Sequence, residues 1–253
     1  MLTALALFLV GIGIATISMA VGIGGGILWT PLLIFAYGLN AMDAVTSSLL
    51  IQCAGLASGT IAYRRNANTN FRLSFIIFLA ALPGIVLGSF ATHYLVSEEF
   101  LKLLLGIMAL LLAIMFVAQQ KETGEDKALT YSKKDLSKLL PIPGFFGFIM
   151  GMLSLGIGEW LIPALRTRLQ IGMRQAVGIV IPAMLMLVLL AAAIHLYQNE
   201  SLPLQSIIWG ALGTLVGAQI GVQVSKRINE RLLKESFIYL MTLVGVHFIY
   251  NAI

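Results

Sequence analysis

Charged residues fall so sparsely along this chain that they divide it into long apolar runs. Uncharged stretches cover residues 1–42, 44–63, 73–97, 103–120, 139–158, 175–199, 201–225 and 237–253, and the fifth resumes after Glu159 as far as residue 165. Most approach or exceed the roughly 18–20 apolar residues that a helix needs to cross a hydrocarbon layer. The alternating pattern of a membrane barrel is absent. The pattern therefore predicts an all-α integral membrane protein. Two runs contain a glycine knot closed by proline: Val21-Gly-Ile-Gly-Gly-Gly-Ile-Leu-Trp-Thr-Pro31 and Ser154-Leu-Gly-Ile-Gly-Glu-Trp-Leu-Ile-Pro163. Irregular backbone at membrane depth survives only where it is buried in protein or lines a cavity, so each knot is read as a helix break and a candidate site.

The two knots belong to a repeat. A shift of 132 residues lays Gly24 on Gly156, Gly26 on Gly158, Pro31 on Pro163, Ala44-Val45 on Ala176-Val177 and Ser74 on Ser206. One inserted residue then lays Gly84 and Gly88 on Gly217 and Gly221, a small-xxx-small pair read as helix packing. The first repeat is expected over 1–120, with a broken helix segment at about 2–37 and spans at about 44–63, 73–95 and 100–119. The second is expected over 139–253, with a broken segment at about 139–165 and spans at about 175–197, 203–225 and 233–252. Between them, 121–138 holds five Lys and four acids and reads as a solvated linker.

Composition agrees: 59% hydrophobic residues, 11% charged and a mean hydropathy of +0.95 exclude a soluble core with a polar surface. The net charge of +5 sits in short loops and is a topology signal, not a nucleic-acid signal. If every segment crossed once, the basic residues would divide eight against eight between the two faces. If each broken segment dips in and returns to its own side, fifteen of the sixteen share one face and only Lys102 lies opposite. The positive-inside bias favours the second arrangement. It makes the halves inverted-topology repeats, each a re-entrant or discontinuous helix followed by three transmembrane helices. The linker is then cytoplasmic and both termini lie outside, although residues 2–20 alone are long enough to cross. Such discontinuous helices in matching positions mark a substrate site near the midplane.

At a helix break, unpaired amides and the positive end of the helix dipole favour an anion, and glycine allows close approach. Gly22, Gly24, Gly25 and Gly26 in one half, with Gly156 and Gly158 in the other, are the candidate cradle. Thr46 and Ser47 are candidate hydrogen-bond donors to an oxyanion, within a polar cluster that includes Ser48 and Gln52; Ser18 and Thr30 could add theirs. Trp29 and Trp160 flank the breaks and could wall off the site. Glu159 is the one acid within an apolar run, a costly placement that makes it the candidate for proton coupling, against a purely structural pairing. Arg166, Arg168 and Arg174 stand at the cytoplasmic mouth, where they could gather anions. His93, His195 and His247 read as interfacial, and Cys53 as a packed thiol. No metal-ligand spacing, nucleophile–base pair or cofactor motif is present, so neither metal, cofactor nor enzymatic activity is expected.

Gly22-x-Gly-Gly-Gly-x-x-x-x-Pro31, Ala44-Val-Thr-Ser47 and the second copy ending at Pro163 resemble the TauE/SafE sulfite-exporter family over nearly the whole chain. The resemblance implies a bacterial inner-membrane carrier that exports sulfite or small organosulfonates such as sulfoacetate, with some relatives handling other sulfur or carboxylate anions. In the second copy Ile157 and Glu159 interrupt the glycine run typical of the family. The expected partners are a small anionic substrate and membrane lipids, with a homodimer left open and no nucleic acid. The alternative is a membrane scaffold or assembly factor whose glycines only pack helices.

Overall fold

A computed structural model describes residues 2–66, 69–94, 97–118, 133–155, 157–198, 202–225 and 230–252. Among these residues every regular element is helical. The helices are α1 (Leu2–Val21), α2 (Gly26–Tyr37), α3 (Ala41–Asn66), α4 (Phe71–Tyr94), α5 (Glu98–Ala118), α6 (Lys133–Leu139), α7 (Pro141–Leu153), α8 (Gly158–Leu169), α9 (Met173–Gln198), α10 (Leu204–Val224) and α11 (Glu230–Ala252). Among the described residues six stretches are long and apolar enough to span a membrane: Ala4–Val21, Ala41–Arg65, Phe71–Thr92, Asp135–Leu153, Met173–Gln198 and Leu204–Val224. Leu5, Leu9, Phe75, Leu87 and Leu212 point outward; in water such a surface would drive aggregation, whereas in a bilayer it meets acyl chains.

Both knots break a helix. Gly22 turns the chain with φ +80°, and its counterpart Ser154 does the same with φ +60°. Gly38 (+66°) and Gln170 (+53°) end α2 and α8 in the same left-handed conformation, again 132 residues apart. Glycine takes this conformation without strain, while Ser154 and Gln170 bear the cost of a side chain there.

The direction of each helix follows from its contacts. Along α1 and α10, Gly213 meets Phe8 and Gly11, Gly217 meets Ile12 and Gly221 meets Thr16, so the pair is parallel. The α10–α3 pair is parallel too, because Gly210 touches Ile51, Thr214 touches Gly55, and Gln219 donates to Ser58. Hence α1 and α3 run the same way, and α2 must carry the chain back between them. Likewise α7 runs parallel to α4, with Gly84 against Gly144 and Gly88 against Phe148. By contrast α5 and α11 are antiparallel, since Gly106 lies against Phe248 and Leu110 against Gly245.

These contacts sort the helices into two bundles that interleave the two stretches of sequence. One contains α1, α3 and α10, the other α4, α7 and α9, and they meet along α3 and α9. Backbones approach closely at the glycines: an added Cβ would lie 2.1 Å from the Phe148 carbonyl oxygen at Gly88 and 2.3 Å from that of Ile12 at Gly217. This is the packing of membrane interiors, in which small residues replace hydrophobic collapse as the source of helix contact.

Two local readings change. The end of the linker, Lys133–Leu139, is helical because Leu136 and Leu139, one turn apart, pack onto the core. His195 is buried and not interfacial: its Nε2 lies 2.8 Å from the Gly151 carbonyl oxygen, which joins α9 to α7. The bond gives that ring nitrogen a partner, and so removes the penalty of burying it.

Candidate functional site

The two breaks meet at the interface of the bundles. A Cβ added at Gly26 would fall 1.8 Å from the Ser154 carbonyl oxygen and 2.6 Å from Gln52 Nε2. One added at Gly158 would fall 3.0 Å from the Gly22 carbonyl oxygen and 2.7 Å from Met184 Sδ, and one at Gly22 would fall 2.3 Å from Val177 Cγ2. Gly22, Gly26 and Gly158 thus allow the two breaks to press together, and the protein's own atoms fill the space beside them. Gly25 differs. A Cβ added there would lie 3.3 Å from Trp29 Cδ1 and 3.6 Å from both Ile14 Cγ2 and Ser18 Oγ, side-chain atoms rather than backbone, with a small cavity beside them. Gly25 caps α2 without a side-chain hydrogen bond, and the first amides of a helix lack intrahelical partners. Gly156 lies outside the described residues.

Hydroxyl and amide groups surround the crossing. Gln52 Nε2 donates to Ser154 Oγ at 2.7 Å and to the Ser154 carbonyl oxygen at 3.3 Å, and Ser154 Oγ donates to Ser48 Oγ at 2.9 Å. This network ties the second break to α3. Ser154 was not singled out as a site residue from the sequence, although its position 132 residues after Gly22 could have flagged it. Thr46 is buried and its hydroxyl donates to the Met42 carbonyl oxygen at 3.0 Å, the usual arrangement for a hydroxyl in a membrane helix. Ser47 is also buried, but its hydroxyl has no partner among the described residues, and the same holds for the hydroxyls of Ser18 and Thr30, the Trp29 indole nitrogen and Gln52 Oε1.

Glu159 is 1% exposed and opens α8. Its carboxylate lies beside the Gly24 amide and its own amide, yet neither oxygen forms a well-aligned hydrogen bond. The acid of the second break therefore reaches toward the glycine run of the first. An incompletely satisfied buried carboxyl is expensive, which makes Glu159 the most unusual side chain in the centre.

The three arginines lie at the far end of α8 and the start of α9. Arg166 reaches Met173 Sδ at 3.3 Å, while Arg168 donates to the Lys138 carbonyl oxygen and fastens α6. Arg174 is half-buried near Tyr63 at the end of α3. Trp29 is fully buried within the first bundle, whereas Trp160 stacks on Phe146 with ring centroids 4.5 Å apart.

Comparison with known proteins agrees with this architecture. The family described as Sulfite exporter TauE/SafE matches residues 7–248. The chain is 22% identical to the Probable membrane transporter protein YunE of Bacillus subtilis (strain 168), over 98% of this chain and 97% of the relative. It is 27% identical to the Probable membrane transporter protein YjnA of the same organism, over 90% and 92% of the two chains. No solved structure matches. A multi-pass helical chain whose broken helices meet at its centre, and which matches this family almost from end to end, belongs to the TauE/SafE sulfite-exporter family of membrane transporters.

Proposed function

We propose that this transporter exports sulfite or a small organosulfonate such as sulfoacetate across the bacterial inner membrane by alternating access, with Glu159 handling a coupled proton. The observation that carries the reading is the meeting of two helix breaks beside buried polar groups that lack full partners: Ser18, Trp29, Ser47, Gln52 and Glu159. A merely structural crossing would satisfy those groups, because each unpaired one costs about 1–3 kcal/mol. Gly24, Gly25 and Gly26, at the start of α2, present amides and a positive dipole end to the anion. Ser47 and Thr46 extend the polar wall, and Gly158 brings in the second break.

Helix directions support an inverted repeat. Equivalent helices α5 and α11 are antiparallel, and α2 returns the chain between the parallel α1 and α3. On that topology Arg166, Arg168 and Arg174 line the cytoplasmic mouth, the linker is cytoplasmic and the termini are periplasmic. Lys102, the single basic residue on the opposite face, is tied to Glu98 at 2.7 Å. The interleaving also alters the expected motion. Rocking one sequence repeat against the other would tear α1 from α10 and α7 from α4, so the bodies that rock are the two bundles, hinged along α3 and α9.

Proteoliposomes carrying the purified protein should move sulfite or sulfoacetate faster than empty vesicles, and flux should respond to an imposed pH gradient. Silence toward a panel of sulfite, organosulfonates and carboxylates would overturn the reading in favour of a scaffold.

A further inference from the structure

The cavity beside Gly25 is bordered by Ser18 of α1, Trp29 of α2, Gln52 and Gly55 of α3, and Thr214 of α10, and apolar side chains of α1 and α3 complete its wall. The room it leaves, about 10 Å³, admits the centre of one oxygen-sized sphere. Around it Ser18 is 1% exposed, Trp29 0% and Gln52 3%, and the Ser18 hydroxyl, the Trp29 indole nitrogen and Gln52 Oε1 all lack partners among the described residues. Thr214 is satisfied by the Ala211 and Ile51 carbonyl oxygens. The notch therefore offers two donors and one acceptor around a space of one atom.

The second bundle supplies an internal control. Residues 132 positions after Ser18, Trp29, Gln52 and Gly55 are Met150, Leu161, Met184 and Leu187, and the counterpart of Thr214 across the inserted residue is Ala81. All five are fully buried members of one hydrophobic cluster. At the matching positions of the second bundle, hydrocarbon stands where the first carries these polar groups. A polar gap of purely structural origin would be expected in both copies or in neither.

We infer that this notch is the oxygen-recognition subsite of the transporter: one oxygen of a sulfur oxyanion or sulfonate enters it and accepts hydrogen bonds from Trp29 Nε1 and Ser18 Oγ. The rest of the anion lies over the amides that open α2, and the second bundle has no equivalent subsite. The inference rests on the proposed anion transport and adds where the anion binds, through which atoms and in which half. The notch selects a ligand that presents an oxygen, and a monatomic halide gains little from it.

Trp29 is itself the probe. The chain has three tryptophans, so Trp160→Phe with Trp209→Phe leaves Trp29 as the only indole. Titration of that protein with sodium sulfite and with sulfoacetate should give a saturable change in emission, absent with chloride. Adding Ser18→Ala should weaken binding roughly 3- to 10-fold, the loss of about one neutral hydrogen bond. In proteoliposomes the single variant Ser18→Ala should raise the KM for sulfite by a similar factor, while Met150→Leu, at the position that mirrors Ser18, leaves it unchanged. If sulfite is transported but Trp29 emission stays flat and Ser18→Ala keeps the wild-type KM, the notch holds only a structural water and this inference falls while the transport reading stands. Equal responses to chloride and sulfite would also overturn it. Absence of both flux and binding would overturn both readings.

Discussion

Glycines that look alike in sequence divide by what stands beside each one. Gly26→Ala would drive a methyl group into the Ser154 carbonyl oxygen, 1.8 Å from the added Cβ. Backbone cannot yield there cheaply, so the variant should lose at least the 1–3 kcal/mol of ordinary overpacking, seen as a lower melting temperature. Gly13→Ala meets nothing within 4 Å and should match or slightly raise that temperature, since alanine favours a helix by up to about 1 kcal/mol. Gly25→Leu fills the space toward Trp29 and Ser18, so flux should fall at least tenfold while folded protein survives; unchanged flux would return Gly25 to packing. Glu159→Gln keeps the size of the side chain and removes the titratable group. The variant should fold as well as the parent and show a flat pH profile of flux, and a retained pH dependence would remove Glu159 from coupling.

Among the elements, the short helices α2 and α8 depend on the long ones that hold them. The second break ends on Ser154, whose left-handed conformation is offset by bonds to Gln52 and Ser48 of α3. Ser154→Ala removes the shortest bond of the Gln52 amide and the bond to Ser48, leaving the amide its longer contacts to the Ser154 carbonyl and Ser48 oxygens, and should cost about 0.5–1.5 kcal/mol, measured by thermal melting. A shift within experimental error would show that the network does not anchor α7 to α3. The long helices are paired by glycine faces whose partners the apolar pattern does not reveal. Gly84 and Gly88 are legible as packing residues, but only the fold matches them with Gly144 and Phe148. His195 is a similar case: its place near the end of an apolar run suggested an interface, and the neighbouring α7 buried it.

For the molecule as a whole, the orientation in the membrane is the consequence most open to test. In a Cys53→Ala background, a cysteine in place of Arg168 should react with an impermeant thiol reagent only from the cytoplasmic side, and one in place of Lys102 only from the periplasmic side. The same side for both would overturn the inverted arrangement. Interleaving of α10 with α1 and α3, and of α4 with α7 and α9, means that each bundle draws helices from both ends of the sequence.

Hydropathy by itself determined that the chain is helical and lives in lipid, because the length of an apolar run and the cost of burying a charge are properties of single segments. The glycine-proline knots were legible as breaks for the same reason: glycine and proline act locally on the backbone. Only the tertiary structure decided that Gly22, Gly26 and Gly158 are occupied by packing while Gly25 borders a polar notch. It alone placed Glu159 beside Gly24 and exchanged α4 and α10 between the bundles. In lipid every apolar face is equally content with acyl chains, so the choice of partner falls to close backbone contact and to a few buried hydrogen bonds, and these exist only once the helices have met.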